Sequence, residues 1–466
     1  MNGDRSSQPV GATTVGTGVV AALSVVVAVV LGDAGVVTLA LPEILRDFGA
    51  TVWGVAGVLI SFNLVLALAA VPAARLCERR DPVAAQATGL IVFAAATTLC
   101  AFAQSLGVLI AARALQAAGG AVVIVGSLEF LVGARGERVG ARRWAWAGVA
   151  GAALGPVAGG LLTSLFSWRA IFVVQIPLVL AALPAVAALR GRVVRVASSL
   201  HTAPDRPYIR ANIALALLSA ALTAALFLLV LLLVDGWGRS PALVAVAVTA
   251  VPAAALASGP ILRAARAGTR SEAVAGAVLI AGGLAGLALL PGAHLVWTLA
   301  PQVLIGLGLG FALDSLTEAA LRQRTPRALH GGWTIAARHA GVVIGLAILT
   351  PIFTADLRHA ETPAKEAIAR LVLDAPLPGS TKLELAEHLG RSLAAERDRV
   401  PNLRPAFAAV RVPSTQASAA AALERGLEDQ LTRAATRAFR TAFLVAAGLA
   451  LLALVPALAL RDRSGS

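Results

Sequence analysis

Charged side chains are scarce in this sequence of 466 residues. Only 14% of the residues are Asp, Glu, Lys or Arg, whereas soluble proteins carry about 25%. Hydrophobic residues make up 58%, more than a folded interior can hide when so few charges are present to cover the surface. This composition excludes an ordinary soluble enzyme, and it requires many apolar side chains to face lipid.

The residues that build metal sites, disulfides and phosphate sites are also scarce. Two cysteines, Cys77 and Cys100, cannot form a disulfide framework, and the six histidines show no metal-ligand spacing. A GxxxxGK[ST] phosphate loop is missing, which argues against drive by ATP. We also find no group of nucleophile, base and oxyanion donors. We therefore expect no cofactor, no metal and no enzymatic activity.

The charge that is present is mostly arginine. The formal net charge is +14, and a basic balance of this kind usually points to nucleic acid or to a membrane surface. Lys365 and Lys382 are the only lysines, and the arginines lie in short clusters between apolar runs. This dispersed pattern favours a lipid bilayer as partner over nucleic acid.

Twelve apolar runs are long enough to cross about 30 Å of hydrocarbon as helices, because lipid offers the backbone no hydrogen-bond partner. The sequence therefore predicts an all-α integral membrane protein with twelve spans. In the first half the runs are 18–41, 52–71, 83–103, 107–132, 144–165 and 168–189, and in the second half they are 212–234, 241–262, 273–290, 295–316, 332–354 and 439–460.

Arginine placement predicts the orientation, because positive loops resist translocation. With a cytoplasmic N-terminus, the termini and the cytoplasmic loops hold 21 arginines, and the short outer loops hold three. We therefore expect a multi-pass protein of the cell membrane with both termini in the cytoplasm. The expected parts are a first half (1–189), a cytoplasmic loop (190–211), a second half (212–460) that contains a long extracytoplasmic loop (355–438), and a cytoplasmic tail (461–466).

The long loop 355–438 is the one sizeable segment outside the spans, with 12 basic and 11 acidic residues. Leucines at 383, 385, 389 and 393 indicate one short helix, and residues 418–437 indicate another that leads into the last span. The segment is broken into pieces by Pro376, Pro378, Pro401, Pro405 and Pro413. We expect a small helical cap, because no catalytic group is found in it.

The fifth run contains a gxxxGPxxGG string made by Gly151, Gly155, Pro156, Gly159 and Gly160. Small residues at this spacing let helices approach closely, but the whole string is more specific than that. It resembles the antiporter motif of the major facilitator superfamily.

Other strings resemble motifs of the same superfamily. Arg113 and Gln116 lie in a run similar to RxxQGxGgA, and Asp33 begins a run similar to the first-helix motif of the multidrug drug:proton antiporter families. Residues 168–177 are similar to their WRxxFxxNxP string, with Gln175 in place of Asn, and residues 338–345 are similar to their RqxGxxxG string.

The loop after the second run departs from the superfamily pattern GxLaDrxGrk. It lacks both glycines, and it has Glu78 in place of Asp, followed by Arg79. This difference bears on how the cytoplasmic gate is held.

The resemblance implies a bundle of twelve transmembrane helices in two six-helix halves that alternate access to a central cavity. It also implies a secondary active transporter, with proton-coupled efflux of a small drug-like or amphipathic molecule as its function. Protons and a small-molecule substrate would be the partners. Uptake of a small solute by the same fold is the alternative, and a membrane-embedded sensor or enzyme is a third reading with less support.

Ionisable residues inside a span are costly, so each one needs a partner, a water path or a task. Asp33 and Arg113 are expected at similar depths in spans 1 and 4, with Gln116 one turn deeper. If the two helices are neighbours, as the resemblance implies, the two charges can pair. We expect Asp33 to carry the exchanged proton or to meet a cationic cargo, and Arg113 to tune it; a static ion pair is the alternative.

The remaining intramembrane charges are expected to have gate or structural roles. Glu129 and Asp314 lie near the cytoplasmic ends of spans 4 and 10, and Arg338 lies inside span 11. His339 is expected to be packed. Proline removes a backbone donor, so Gly155-Pro156 is expected to bend span 5, either as a moving contact or as passive close packing.

Overall fold

The structure is a computed structural model that describes residues 16–190, 205–265, 268–322, 324–395, 404–410 and 416–460. The described chain is built from helices joined by short connections. In the first half the helices are α1 (Thr17–Asp47), α2 (Val52–Arg79), α3 (Pro82–Ala101), α4 (Leu106–Arg135), α5 (Glu137–Leu165), α6 (Ala170–Leu180) and α7 (Leu183–Ala187).

The second half contains the longer helices and the cap. Its elements are α8 (Ile209–Leu231) with a π-helical turn (Leu232–Gly236), α9 (Pro241–Val248), α10 (Ala250–Ala265), α11 (Thr269–Ala288), α12 (Leu295–Leu321), α13 (Arg327–Asp374), α14 (Gly379–Ala395), α15 (Arg404–Ala409), α16 (Ala417–Ala438), α17 (Arg440–Leu452) and α18 (Leu454–Leu458).

Twelve stretches of the described chain are long and apolar enough to cross a membrane, which confirms the predicted all-α membrane fold. The sixth, eighth and twelfth spans are each made of two consecutive helices. Part of the predicted cytoplasmic loop 190–211 lies outside the described residues, namely 191–204, and so do residues 1–15 and 461–466 of the predicted cytoplasmic termini.

Local chemistry begins several of these helices. The side chains of Thr51, Asp81 and Ser105 each accept a hydrogen bond from a backbone N–H in the first turn of the following helix. The N–H groups of the first turn have no partner inside the helix, so a side-chain oxygen that accepts from one of them stabilises the N-terminus of the helix. Pro82 and Pro241 occupy first helical positions, where the missing N–H costs nothing.

An even number of spans puts both ends of the described chain on one side of the bundle, which we call the terminal face. There the Arg210 guanidinium, at the start of α8, donates to the Ala459 carbonyl, just after α18, at 2.7 Å. The opposite side, where α1 ends, is the cap face.

The two halves repeat the same helix packing. Helix α1 packs on α5 and α8 packs on α13, while α3 packs on α4 and α11 packs on α12. The positions of contact along the helices repeat as well. Gly151 contacts the backbone of Ala28, and Gly341 contacts the backbone of Ala216 in the same way. An offset of 188 residues relates Ala28 to Ala216, and the same offset relates Gly32 to Ala220. The two halves are therefore structural repeats of one six-helix unit.

Two helix pairs make the most extensive contacts between the halves. Helix α2 packs along α13, and α5 packs against α9. Each of these two contacts pairs a helix of the first half with a helix of the second.

The cap is built from residues between spans 11 and 12. Helix α13 continues past residue 354, where the predicted span 11 ends, as far as Asp374. The reason is that Ile368 and Val372, four residues apart on one face, pack into a separate apolar core of the cap. The two predicted cap helices are confirmed as α14 and α16.

Candidate functional site

A buried ion pair lies inside the first half of the bundle. Asp33 on α1 and Arg113 on α4 are fully buried, and a carboxylate oxygen of Asp33 contacts Nη1 of Arg113. Helices α1 and α4 pack against each other. The structure thus brings together the two charges that the sequence placed at similar depth.

Polar side chains of α3 and α4 extend the pair. The Arg113 guanidinium also donates to Oε1 of Gln116, and Nε2 of Gln116 donates to Oγ1 of Thr97 at 2.9 Å. The Cys100 sulfur lies 3.8 Å from the same Gln116 oxygen. Charge, amide, hydroxyl and thiol therefore form one continuous chain of contacts.

Two further residues complete the site. Nε2 of Gln175 on α6 donates to Oδ1 of Asp33 at 3.0 Å. The guanidinium carbon of Arg113 lies 4.1 Å from the centre of the Phe62 ring on α2, a cation–π contact. Neither role was predicted; the signal for Gln175 was its place in the WRxxFxxNxP-like string, where it replaces Asn.

Not every polar atom of this site has a hydrogen-bond partner inside the described part of the chain. Nε and Nη2 of Arg113 are buried and have no hydrogen-bond partner there, and the same holds for Oε1 of Gln175. Buried polar atoms without partners are costly. Two donor nitrogens and one acceptor oxygen of the site are therefore left for a further polar group.

The second half carries no matching charges. The offset of 188 residues places Ala221 where Asp33 lies in the first repeat. An offset of 189, which relates Gly119 to Gly308 in equivalent contacts, places Gln302 at the position of Arg113. The repeats share their packing, but only the first holds the ion pair.

The glycines of the fifth span contact two different helices, α1 and α9. A Cβ atom at Gly151, Gly155 or Gly159 would lie 2.0 to 2.5 Å from backbone oxygens of α1. These three glycines therefore allow close packing within the first half. Pro156 packs beside Gly35 of α1. Helix α5 continues through Pro156 as one helix.

Gly160 faces the other half. A Cβ atom there would lie 2.3 Å from Cβ of Ala245 on α9 and 3.0 Å from the Pro241 carbonyl oxygen. The last glycine of the motif, and not Gly155, is thus the one at the contact between the halves.

A buried hydrogen bond crosses the halves in the middle of the bundle. Nδ1 of His339 on α13 lies 2.6 Å from Oδ1 of Asn63 on α2, while the Asn63 amide donates to the Leu59 carbonyl at 2.8 Å. His339 is therefore packed, as expected. Arg338, one residue earlier, is half-buried, and no ion pair among the described residues includes it.

On the terminal face, Glu129 joins the halves. Its carboxylate, on α4, lies near the Ala328 N–H in the first turn of α13. A negative charge is favourable there because it meets unpaired N–H groups and the positive end of the helix dipole. Beside this contact, Ala74, Val125 and Ala328 form a small buried apolar cluster from both halves.

The other predicted gate charges do not share that contact. Glu78 and Arg79 at the end of α2 are exposed, and so is Asp314 on α12. The repeat instead relates Glu129 to Glu318, which pairs with Arg322 four residues later within the second half. Asp314 therefore has no equivalent acid in the first half.

On the cap face, one ion pair spans the two halves. Nε of Arg46 at the end of α1 lies 3.8 Å from Oδ1 of Asp235, which belongs to the π-helical turn after α8. This pair is partly exposed, so its net energy is small, about 0–1 kcal/mol.

Fold and site together describe a secondary transporter, with two repeated six-helix halves and a buried charge pair inside the first. Residues 23–350 match the family model of the Major Facilitator Superfamily. That match covers more than half of the chain, and the chain belongs to this superfamily, whose members are transporters and not enzymes.

Several curated drug-resistance proteins are similar over part of their length. The chain is 33% identical over 164 residues to the multidrug efflux pump LfrA of Mycolicibacterium smegmatis, which is 34% of this chain and 32% of that protein. It is 32% identical over 213 residues to the methylenomycin A resistance protein of Streptomyces coelicolor, which is 44% of this chain and 41% of that protein. The chain thus matches less than half the length of these relatives.

Solved structures show the same fold. Crystal structures of a bacterial homologue of the human lysosomal transporter Spinster, inward-facing, give TM-scores of 0.58 without and 0.60 with an occupant. The first covers 96% of this chain and 99% of that one at 15% identity, and the second covers 95% and 96% at 14% identity. At this identity the likeness concerns the fold alone.

Proposed function

We propose that this protein is a proton-coupled antiporter that exports a small drug-like or amphipathic molecule by alternating access. The observation that carries the proposal is the buried Asp33–Arg113 pair. A carboxylate that can take up and release a proton inside the bundle supplies the chemistry that coupling needs. The similarity to drug efflux pumps over part of the chain supports export of a drug-like cargo.

Asp33 is assigned the proton and Arg113 the role of its counter-ion. In the structure Arg113 contacts Asp33 and Gln116 at once. A cargo that draws the guanidinium away leaves a buried charge without its partner, and proton uptake removes that charge. Gln175 holds the Asp33 carboxylate in place in both cases. Proton uptake is thereby linked to what Arg113 contacts.

The driving force depends on cargo charge. One pH unit supplies about 1.4 kcal/mol per proton, and a net charge moved through 100 mV supplies about 2.3 kcal/mol. Exchange of one proton for a monovalent cation moves no net charge and uses the pH difference alone. A neutral cargo draws on both terms.

We place the terminal face in the cytoplasm of the cell membrane. The 21 arginines of the termini and loops on that side, against three in the short loops of the cap face, support this orientation. The Glu129 contact with α13 then acts as a cytoplasmic gate, and the cap lies outside the cell.

The test is transport by purified protein in liposomes with an imposed pH gradient of either sign, screened with amphipathic cations, neutral antibiotics and small metabolites. Asp33→Asn should abolish gradient-driven flux of any cargo that the unmodified protein moves, because the amide takes up no proton. Asp47→Asn, at the exposed end of the same helix, is the matched control and should transport normally.

Flux direction separates the two candidate functions. Cargo moving against the proton flux supports antiport, whereas cargo moving with protons indicates uptake. Full coupled transport by Asp33→Asn at an unchanged protein level removes Asp33 from the mechanism.

A further inference from the structure

Arg338 is a charge deep inside the bundle that the proposed proton site does not use. It lies three turns into α13, which begins at Arg327. This is about 16 Å along the helix, near the middle of a hydrocarbon core that is about 30 Å thick. A charged side chain at such a depth is costly, and charges of this kind face the interior of a bundle and mark sites of function. The direction and the partners of Arg338 therefore matter.

Arg338 projects from α13 toward the gap between the two halves. Each residue of a helix turns the chain by about 100°, so Gly341 lies about 60° to one side of Arg338 and His339 about 100° to the other. Gly341 contacts the backbone of α8, in the second half. His339 contacts Asn63 on α2, in the first half. The direction of Arg338 therefore falls between α8 and α2, where the halves face each other.

Part of the Arg338 side chain is accessible inside the bundle. Ile335 and Val342, on the same face of α13, are 0% and 6% exposed, whereas Arg338 is only half-buried. Trp333 and Ile344, about 120° to 140° away around the helix, are 38% and 50% exposed and form its outward side. Because Arg338 does not lie on the outward side, its accessible part opens into the interior.

No acid of the described chain balances this charge. Arg338 takes part in no ion pair or hydrogen bond with another described residue. Asp33 contacts Arg113. Glu129 lies near the start of α13 on the terminal face, and Asp314 is exposed on α12. Within the described residues, the Arg338 guanidinium is thus a cation in the bundle that no carboxylate neutralises.

We propose that Arg338 binds an anionic group of the cargo, so that the exported molecules are carboxylates, phosphates or zwitterions. This inference rests on the proposed function as an exporter, and it names the class of cargo. The planar N–H groups of a guanidinium fit two oxygens of a carboxylate or phosphate, and such charge-assisted hydrogen bonds are stronger away from bulk water. The cargo supplies the negative charge that the described chain does not.

Photolabelling of the full-length protein in nanodiscs of phosphatidylcholine tests the proposal. Three probes share a trifluoromethyl-diazirinyl phenyl ring and differ in one group, which is a carboxylate, an ammonium or a hydroxyl. After irradiation, mass spectrometry identifies the labelled peptides. The carboxylate probe should label α13 around Arg338 and the facing parts of α2 and α8. The other two probes should label this region about tenfold less, because they form no charge-assisted bonds with a guanidinium.

Substitutions identify the charge responsible. Arg338→Gln should raise the half-saturating concentration of the carboxylate probe about tenfold, and it should leave that of the hydroxyl probe unchanged. Arg338→Lys keeps the charge and should restore part of the affinity. Arg370→Gln is the matched control, because Arg370 lies on the same helix but is exposed in the cap, and this variant should bind like the unmodified protein.

Thermal unfolding in the same nanodiscs gives a measurement that does not depend on any variant. The carboxylate probe should raise the unfolding temperature of the unmodified protein, because a ligand that binds only the folded state stabilises it. The ammonium probe should not. Arg338→Gln protein should unfold at the same temperature as the unmodified protein or higher, since Arg338 stabilises no carboxylate of the described chain.

Equal labelling of this region by the carboxylate and ammonium probes, or an affinity for the carboxylate probe that Arg338→Gln does not change, overturns the proposal. Because no gradient is applied, binding is measured independently of proton coupling. Anion binding without gradient-driven flux would leave the Arg338 site standing and remove the antiport assignment. Gradient-driven flux of a cationic cargo without anion binding would do the reverse.

Discussion

At the scale of single residues, the ion pair of Asp33 and Arg113 is costly to bury, and it carries the coupling chemistry that we propose. Removing two charges from water is expensive, and their attraction repays that cost only when the geometry and the extra hydrogen bonds are good. Gln175 and Gln116 supply those bonds, one for each partner. The pair is therefore stable when complete and costly when one partner is missing.

A double-mutant cycle measures this dependence. Asp33→Leu or Arg113→Leu alone leaves one uncompensated buried charge, and each should destabilise the protein by about 3–5 kcal/mol. The double variant removes both charges and should be more stable than either single variant. Thermal unfolding in detergent measures the differences in stability between the unmodified protein and the three variants. If the loss of stability in the double variant equalled the sum of the losses in the two single variants, the two side chains would not stabilise each other.

The residues of this site differ in how visible they are in the sequence. Charges are rare inside spans, so Asp33 and Arg113 stand out once the spans are drawn. Thr97, Phe62 and Gln175 are of types that occur in many membrane helices without a special role, and nothing in their spacing pairs them with a charge on another helix. Their part in the site depends on which helices are neighbours, and only the fold determines that.

At the scale of helices, one short motif performs two kinds of packing. Gly151, Gly155 and Gly159 lie four residues apart and let α5 contact the backbone of α1, while Gly160 lies on another side of α5 and contacts α9. The first contact holds one half together, and the second lies between halves. The two kinds of glycine should therefore respond differently to added volume.

Valine substitutions separate the two contacts. Gly155→Val should reduce the yield of folded protein and destabilise it by about 1–3 kcal/mol, as overpacking does, because a Cβ there lies 2.5 Å from the Gly32 oxygen. Gly160→Val should fold but hold α5 away from α9. Maleimide labelling of a cysteine at Ala245, which is fully buried, should then increase.

Gly282→Val on α11 is the matched control, since no atom outside its own helix lies within 4 Å of its Cβ position. It should change neither yield nor labelling. If Gly155→Val and Gly160→Val lost folded protein equally, the distinction between packing within a half and packing between halves would not hold.

Helix positions were predictable because the spans are long and apolar, and helix ends were less so. Span 11 shows why: composition changes after residue 354, but a helix continues wherever its apolar residues find a partner, and here that partner is the cap core around Ile368 and Val372. The bundle contacts of Gly160 were equally hidden, because they depend on the way the halves meet.

At the scale of the whole molecule, polar contacts between the halves occur at three levels. Glu129 meets the start of α13 on the terminal face, Asn63 meets His339 in the middle, and Arg46 meets Asp235 on the cap face. Movement of the halves must break these contacts in turn. The contact at Glu129 is the one that a repeat-related control can isolate.

Glu129→Gln should weaken closure of the terminal face. The amide has nearly the same size, but it loses the charge interaction with the end of α13, about 0.5–1 kcal/mol. Labelling of a cysteine at Ala74 by an impermeant maleimide should rise roughly two- to fivefold, in a chain with Cys77 and Cys100 replaced by serine.

Glu318→Gln changes the equivalent residue of the second repeat, whose partner Arg322 belongs to its own half. This control should leave labelling at Ala74 as it was. An equal rise in both variants would show that any acid lost from this face loosens the bundle.

The length of α13 has a practical consequence for imaging. Its 48 residues correspond to roughly 70 Å at about 1.5 Å per residue, more than twice the thickness of a bilayer core. The far third of this helix, with α14 and α16 packed beside it, projects beyond any detergent belt. Particles of this small protein therefore carry a built-in fiducial that breaks their near-twofold symmetry in electron micrographs.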